Sequence, residues 1–167
     1  INCGHLGFLA EVQTTNTEEI LEQLINHQYT IEKRSMLEIS CPAIDKILSP
    51  YALNEVAVLK QGLSSMISVD TYLNGEFLHT YKADGLLLAT PTGSTAYNLS
   101  VGGPLLYPYA RAMVLSPVAT HSLSVRPLVI PDDSKIDLKI NSRNASYMVS
   151  IDGRSQIFDD DITLHIE

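Results

Sequence analysis

The chain has 167 residues, of which 45% are hydrophobic, and this is enough apolar material for one domain with a buried core. Its 19 acidic and 11 basic residues give a net charge of −8, so nucleic acid is not expected as a partner. No apolar run approaches the roughly 18 residues of a membrane span, so no membrane partner is expected either. Cys3, Cys41 and five scattered histidines show no zinc spacing. The expectation is a cytoplasmic protein with free thiols and no metal ligands of its own.

The first 28 residues predict a turn followed by one helix. Gly4 and Gly7 lie three residues apart, as in a turn that needs a positive φ or a close backbone approach. Asn16 and Glu19 form a capping-box pattern, which indicates that a helix begins after Asn16. The predicted helix, residues 17–26, should pack through one apolar stripe: Ile20, Leu21, Leu24 and Ile25.

From residue 29 onward the pattern favours short strands. Asn74-Gly75 lies between two alternating runs and predicts a type I′ hairpin, and Asp152-Gly153 predicts a second hairpin turn. The apolar run Leu86–Ala89 indicates a strand that is buried on both faces. The fold class is therefore mainly β (α+β), an antiparallel β-sandwich with a few short helices. The predicted strands are 29–40, 54–59, 67–73, 77–81, 86–89, 128–130, 136–140, 147–151 and 162–166.

A hydroxyl-rich loop (the hydroxyl loop, Thr90–Ser100) follows the apolar run. Its hydroxyls, on Thr92, Ser94, Thr95 and Ser100, can donate and accept hydrogen bonds, and Gly93 would let the backbone approach a ligand. The short helix predicted over 96–101 would point its N-terminal amides at the loop, which favours polar or anionic groups. An ordinary Ser/Thr helix cap with a glycine turn explains the same residues.

Three further polar positions are candidates for a site. Asn54 offers a donor and an acceptor that suit the edge of an adenine, and Glu55 could hold a sugar hydroxyl, although the two could also be a polar pair at a strand start. Asp84 and Asp152 each precede a glycine, so both could be turn residues only. His121 fits a partly buried, hydrogen-bonded histidine as well as a ligand or base.

Taken in order, these motifs resemble the bacterial NAD kinases. The resemblance covers nearly the whole chain, and its most specific block is Thr90–Tyr97 (TPTGSTAY) with Asp84-Gly85 just upstream. The other matching segments are Gly4–Leu9, Leu53–Glu55, Gly102–Pro104 and His121–Ser124 followed by Arg126-Pro127.

The resemblance implies an activity. Members phosphorylate the 2′-hydroxyl of the adenosine ribose of NAD to give NADP, using ATP or inorganic polyphosphate with a divalent cation such as Mg²⁺. It also implies a two-domain plan, with residues 1–28 as a remnant of an α/β N-terminal domain and 29–167 as the NAD-binding β-sandwich. Members are homo-oligomers, dimers or tetramers, in which a neighbouring subunit contributes to each dinucleotide site.

Carried onto this sequence, the resemblance implies a set of substrate-binding residues. Asn54 and Glu55 would hold the adenosine half, with Glu55 assisting near the ribose, and Phe8 would pack near the adenine. Asp152 would lie near the reacting end. The remaining residues would line the adenine and nicotinamide pockets, partly across the subunit boundary: Asp84, Thr92, Thr95, Ala96, Tyr97 and Ser100.

One departure from the family bears on catalysis. The Gly-Gly-Asp-Gly-Thr motif that carries the expected catalytic aspartate does not occur in the 167 residues. The expectation is therefore a fragment that binds the dinucleotide but does not turn over alone, because a base within reach of the hydroxyl is missing. Three alternatives stay open: a lipid kinase of the diacylglycerol or sphingosine type, a non-catalytic dinucleotide-binding module, and a structural β-sandwich without a nucleotide site.

Overall fold

The computed structural model describes residues 17–42, 49–62, 66–141, 146–158 and 162–167. The chain divides into two compact units, residues 1–33 and 34–167. Within the described ranges, no helix is long and apolar enough to cross a lipid bilayer. The predicted turn at Gly4–Leu9, Asn16 and Phe8 lie outside the described residues.

The described part of the first unit contains one helix, α1, at Thr17–Ile25. The predicted helix is confirmed, but the described residues of the first unit do not cover its apolar stripe. None of the residues of α1 is buried, and Leu21 and Ile25 are 52% and 76% exposed. An amphipathic stripe shows that a helix prefers burial on one side, but it does not supply the surface that would cover that side.

The second unit is a sandwich of two antiparallel sheets, each with six described strands. The strand order is β2-β1-β12-β9-β4-β5 in the first sheet and β11-β10-β3-β6-β7-β8 in the second. In chain order the strands are β1 (Leu37–Ser40), β2 (Tyr51–Ala52), β3 (Glu55–Lys60), β4 (Ile67–Leu73), β5 (Glu76–Ala83), β6 (Gly85–Ala89), β7 (Ala112–Val118), β8 (Leu128–Pro131), β9 (Ile136–Asn141), β10 (Tyr147–Ile151), β11 (Arg154–Phe158) and β12 (Thr163–Ile166).

The main core lies between the two sheets and draws on alternate residues of both, as expected for strands that bury one face. Strand β6 differs, because all five of its residues are buried. Leu86 and Leu88 point into the main core, whereas Leu87 and Ala89 join a smaller cluster on the opposite face. Tyr97 packs against that smaller cluster, so the loop after β6 covers the outer face of this sheet. The prediction of a strand buried on both faces is confirmed.

Both predicted hairpin turns are confirmed. Asn74 and Gly75 have φ angles of 52° and 84°, as a type I′ turn requires, and they connect β4 to β5. Asp152 and Gly153 have φ angles of 47° and 78° and connect β10 to β11. The antiparallel β-sandwich that the sequence predicts is the observed fold of the described residues between 34 and 167.

The predicted strands need correction in their bounds and in their number. The strand predicted over 29–40 forms only at Leu37–Ser40, because three consecutive charged residues, Glu32–Arg34, interrupt the alternation. Three observed strands are absent from the predicted set: the edge strands β2 and β11, and the central strand β7 (Ala112–Val118). Strand β7 contains Pro117, and a proline inside an apolar run argues against a central strand.

Candidate functional site

The candidate site is built where β3 begins and β6 ends. These strands are antiparallel neighbours with Glu55 opposite Ala89, so the residues just before β3 meet the residues just after β6. The backbone N–H of Thr90 donates to the Asn54 carbonyl at 2.9 Å. The buried Thr90 hydroxyl donates to the Leu53 carbonyl at 2.6 Å. The carbonyl side of the Leu53-Asn54 turn is therefore fixed by one residue of the hydroxyl loop.

The amide side of the same turn is fixed by Asp152. In the hairpin between β10 and β11, its carboxylate accepts hydrogen bonds from three successive backbone amides, those of Leu53, Asn54 and Glu55, at 2.7, 2.8 and 3.0 Å. The N–H of Asp152 in turn donates to the Glu55 carbonyl at 3.1 Å. Residues 53–55 are thereby held on both sides by residues that are distant in sequence.

Gly93 brings the hydroxyl loop against the Asn54 backbone. A Cβ atom at position 93 would lie 1.9 Å from the Asn54 carbonyl oxygen and 2.4 Å from its carbon, so only glycine fits. The sequence predicts that Gly93 allows close approach to a ligand, whereas the structure shows close approach to the chain's own backbone. Gly93 begins a short 3₁₀ turn (Gly93–Thr95), which leads into helix α2 at Tyr97–Ser100.

The Glu55 carboxyl lies at the centre of this arrangement. The residue is half-buried, and the Tyr97 backbone N–H hydrogen-bonds to its carboxylate. Its Oε2 atom is fully shielded and has no partner among the described residues. Burial raises the pKa of the Glu55 carboxyl, the negative charge of Asp152 raises it further, and the Tyr97 hydrogen bond lowers it in part. Glu55 therefore binds a proton more readily than an ordinary glutamate.

A buried polar network supports the hydroxyl loop from beneath. The Asn98 side chain, which is 0% exposed, donates to the Ser94 carbonyl at 3.2 Å and to the Pro104 carbonyl at 3.0 Å, and accepts from the Ser116 hydroxyl at 2.7 Å. Gly103 packs so closely that a Cβ there would lie 2.0 Å from the Asn98 Oδ1. Each polar group of the Asn98 side chain thus has a partner, which makes the loop a rigid support.

The structure places most of the sequence-predicted residues around this turn. Asn54, Glu55 and Asp152 are joined by the hydrogen bonds above, and Tyr97 contacts Glu55. Four others belong to the 3₁₀ turn and α2 or immediately precede them: Thr92 and Ala96, which are half-buried, and Thr95 and Ser100, which are exposed. The Thr95 hydroxyl donates to the Thr92 carbonyl at 3.2 Å.

Asp84 is not brought to this cluster within one chain. It precedes β6, whereas Thr90 follows it, and six residue steps at roughly 3.3 Å each separate them by about 20 Å. At that far end Asp84 forms an ion pair with Lys60 at 2.9 Å. His121 is exposed and follows β7, whose Val118 pairs with Gly85, so it belongs to the same far end.

Sequence reasoning did not select Thr90, Asn98 or Ser116, although they support the site. Thr90 carries a usable signal, since a threonine directly after a fully apolar strand is positioned to bond the neighbouring strand's end. Asn98 and Ser116 carry none, because they are 18 residues apart and only the observed packing of the loop on β7 joins them.

The comparisons with known proteins agree with this fold. The yeast NADH kinase, solved as a complex with NADH, superposes with a TM-score of 0.87 at 32% identity and covers 98% of this chain and 48% of its own. An NAD kinase from Archaeoglobus fulgidus, solved in complex with ATP, superposes with a TM-score of 0.83 at 30% identity over 100% of this chain and 63% of its own. The class that the fold and site define is therefore the β-domain of the dinucleotide kinases.

The sequence comparisons give the family. Residues 53–162 match the model of the ATP-NAD kinase C-terminal domain, and the chain belongs to that family. The NAD kinase of Bacteroides fragilis is 54% identical over 158 residues, which are 93% of this chain and 54% of that protein. The chain thus spans about half the length of such relatives. The resemblance read from the motifs is confirmed.

Proposed function

We propose that this chain is the dinucleotide-binding part of an NAD kinase, which transfers a phosphoryl group from ATP to the 2′-hydroxyl of the adenosine ribose of NAD. The observation that carries the proposal is the difference in hydrogen bonding between the backbone of the Asn54-Glu55 pair and the Asn54 side chain. Its backbone is fixed by Asp152 and Thr90, whereas the Asn54 side-chain amide makes no hydrogen bond to another described residue. A fixed backbone with an unengaged amide suits recognition of a base or sugar edge.

Glu55 supports the same assignment. A half-buried carboxyl next to Asn54 suits a ribose, whose hydroxyl would donate a hydrogen bond to it. A proton-binding carboxyl beside the ribose could also assist removal of the hydroxyl proton. The hydroxyl-rich turn Thr92–Thr95, which is held against Asn54 through Gly93, would border the adenine. Glu55 is therefore proposed as an assisting group and the turn as part of the binding pocket.

The phosphoryl donor is proposed to be ATP, since an ATP complex is known for one similar structure; inorganic polyphosphate is the alternative donor. The described residues do not build a cage for Mg²⁺. They contain no group of three or more His, Cys, Asp or Glu side chains placed to hold a metal. The two carboxylates of the site, Glu55 and Asp152, differ in availability, because Asp152 is occupied by three amides. An assisting divalent ion would be held by donor phosphates and by groups outside the described residues.

A second copy of the chain is proposed to complete the site. Asp84 lies about 20 Å along β6 from Thr90, too far to contact a ligand base held at Asn54. The segment 119–127 lies at the same far end and exposes Leu123 at 92%. If this end of one copy meets the Asn54 end of another, Asp84 and Asn54 can act on one ligand in a homo-oligomer.

The binding proposal is tested by calorimetry with NAD on the purified protein. Asn54→Ala and Glu55→Ala should each weaken binding by roughly tenfold or more, the effect of one or two lost hydrogen bonds. Asn141→Ala and Glu76→Ala, exposed residues of the other sheet, are the matched controls and should leave affinity unchanged. Equal affinities for all five proteins would contradict the proposed site.

The two-copy site is tested by mixing two defective variants. Asp84→Ala and Asn54→Ala each damage a different half of the site, so a mixed dimer carries one intact site. Random pairing of equal amounts should restore about a quarter of the wild-type binding capacity, because half of the dimers are mixed and each has one intact site of two. No restoration on mixing, in a protein shown by ultracentrifugation to be oligomeric, would refute the shared site.

Turnover is tested by NADP formation from NAD with Mg-ATP. The 167-residue chain is expected to bind NAD and to form no NADP, because the expected base is absent from its sequence. Turnover that Glu55→Ala abolishes would overturn this part of the proposal. Tight binding without turnover, even after the missing motif is restored, would favour a non-catalytic module instead.

A further inference from the structure

Asp152 makes backbone contacts that the family resemblance does not predict. The resemblance implies contact with the substrate near the reacting end. In the structure, however, its two carboxylate oxygens accept three backbone hydrogen bonds, at 2.7 Å on Oδ2 and at 2.8 and 3.0 Å on Oδ1. A carboxylate offers roughly four acceptor positions, so most of its capacity is already used by the chain itself.

Three successive amides that converge on one anion form a strong and directional arrangement. Hydrogen bonds to an ionised acceptor are shorter and stronger than neutral ones, and consecutive N–H groups make a concave anion-binding turn. In many proteins such a turn binds a phosphate or another external anion, whereas here the anion is a side chain from a hairpin 97 to 99 residues away in sequence. The carboxylate therefore determines the local path of residues 53–55.

The hairpin that presents Asp152 is itself fixed. Strand β10 pairs with β3 so that Ile151 faces Val56, which places the turn directly beyond the beginning of β3. The Arg154 guanidinium, in the same hairpin, donates to the carbonyls of Ile151 and Tyr51 at 3.1 and 2.9 Å. The left-handed conformation of Asp152, with φ of 47°, directs the chain into this turn. Because these contacts anchor both sides, the carboxylate cannot move away without opening the hairpin.

We propose that Asp152 is a positioning residue for the dinucleotide: its carboxylate holds the amides of Leu53, Asn54 and Glu55 so that the Asn54 side chain is presented to the ligand. This inference rests on the proposed function, since it takes the ligand to bind at Asn54. It assigns Asp152 to the protein's own turn rather than to the substrate. Loss of the carboxylate should then weaken NAD binding through a displaced Asn54, while an added small carboxylate should restore it.

The test uses Asp152→Gly, because glycine adopts a positive φ without strain and leaves the carboxylate position open. On the purified protein, NAD binding should weaken by at least about tenfold, the effect of losing one charge-assisted hydrogen bond. The amide protons of residues 53–55 should exchange faster with solvent. Sodium formate should partly restore NAD affinity, whereas sodium chloride at equal concentration should not.

Two variants serve as controls. Asp133→Gly removes an exposed turn aspartate elsewhere and should change neither NAD affinity nor exchange at 53–55. Asn54→Ala should lose NAD affinity without rescue by formate. If Asp152→Gly does not fold, Asp152→Asn, which also tolerates the left-handed region, is measured for NAD affinity and amide exchange without formate, because its side chain fills the carboxylate position.

The outcomes separate the possible roles. Weakened binding with unchanged exchange at 53–55 and no formate effect would mean that Asp152 contacts the ligand directly, and would overturn the proposal. Faster exchange with unchanged NAD affinity would mean that the carboxylate is structural only, and would overturn it equally. Failure of the wild-type protein to bind NAD would instead refute the proposed function, and with it the role of Asp152 for the ligand.

Discussion

Gly93 gives the sharpest quantitative prediction about the site. In Gly93→Ala the new Cβ would lie 1.9 Å from the Asn54 carbonyl oxygen, 2.4 Å from the carbonyl carbon and 2.8 Å from Cα. Ordinary van der Waals contact begins at 3.4 Å, so the loop and the turn must separate by about 1.5 Å. All three atoms belong to the backbone, which cannot rotate aside as a side chain can.

The required separation determines the expected size of the effect. Overpacking at a well-packed position costs about 1–3 kcal/mol of stability, and a backbone clash belongs at the upper end of that range. A misplacement of about 1 Å at a binding or catalytic position can cost on the order of a hundredfold in function. We therefore expect Gly93→Ala to weaken NAD binding by roughly a hundredfold, more than its loss of stability alone predicts, because the clash acts on Asn54 itself.

The assay pairs calorimetric NAD titration with thermal unfolding of the same samples. Gly75→Ala is the control, since its Cβ meets nothing within 4 Å and only its positive φ is strained. It should lower the melting temperature while leaving NAD affinity intact. Folded Gly93→Ala protein with wild-type affinity would refute the reasoning, because the backbone of Asn54 would then have no role in presenting the ligand contact.

Three other predictions concern stability. Burial and the charge of Asp152 raise the pKa of Glu55 in the folded protein, so the wild-type protein loses stability as the pH rises above the ordinary pKa of a glutamate, where the unfolded chain releases this proton first. Glu55→Gln carries no such proton, and its melting temperature relative to wild type should therefore increase as the pH rises from ~4 towards neutrality. A constant difference in melting temperature over this range would contradict the prediction. Asn98→Ala leaves two carbonyls and the Ser116 hydroxyl without their partner and should cost about 2–4 kcal/mol in urea unfolding; a loss below ~1 kcal/mol would mean that water replaces the amide. Lys60→Met breaks a partly exposed ion pair and should cost no more than about 1 kcal/mol, decreasing with added salt; a larger, salt-independent loss would show that the side chain matters through packing.

The parts of the fold that sequence predicts well are those with strictly local causes. Asn74-Gly75 predicts its hairpin because few residue pairs tolerate two positive φ angles, and Leu86–Ala89 predicts a doubly buried strand because it has no polar face. Strand β7 is the counterexample. Pro117 pairs with Leu86 of β6 but lies beyond the residues of β7 that pair with β8, and the point where that pairing ends is not visible in the local sequence.

The candidate site likewise contains residues that the sequence predicts and contacts that only the fold reveals. Asn54, Glu55 and the hydroxyl loop could be selected from residue type and from the family resemblance. The connections between them could not, since they depend on the strand order β10-β3-β6, which sets Asp152 and Thr90 on the two sides of one turn. Gly93 is an example. A glycine at this position predicts a close approach, but only the fold shows that the approaching group is the Asn54 carbonyl.

The hydrogen bond between Leu53 and Asp152 spans 99 positions of the chain and has a consequence for biosynthesis. A nascent polypeptide that has emerged only as far as the hydroxyl loop contains Asn54 and Glu55 but lacks the group that orders them. Competence for the ligand should thus arise late and abruptly, when the β10–β11 hairpin joins the sheet, and not gradually as the chain lengthens. Contacts of such long range also slow folding. The time at which ligand affinity appears would therefore report when the β10–β11 hairpin joins this sheet.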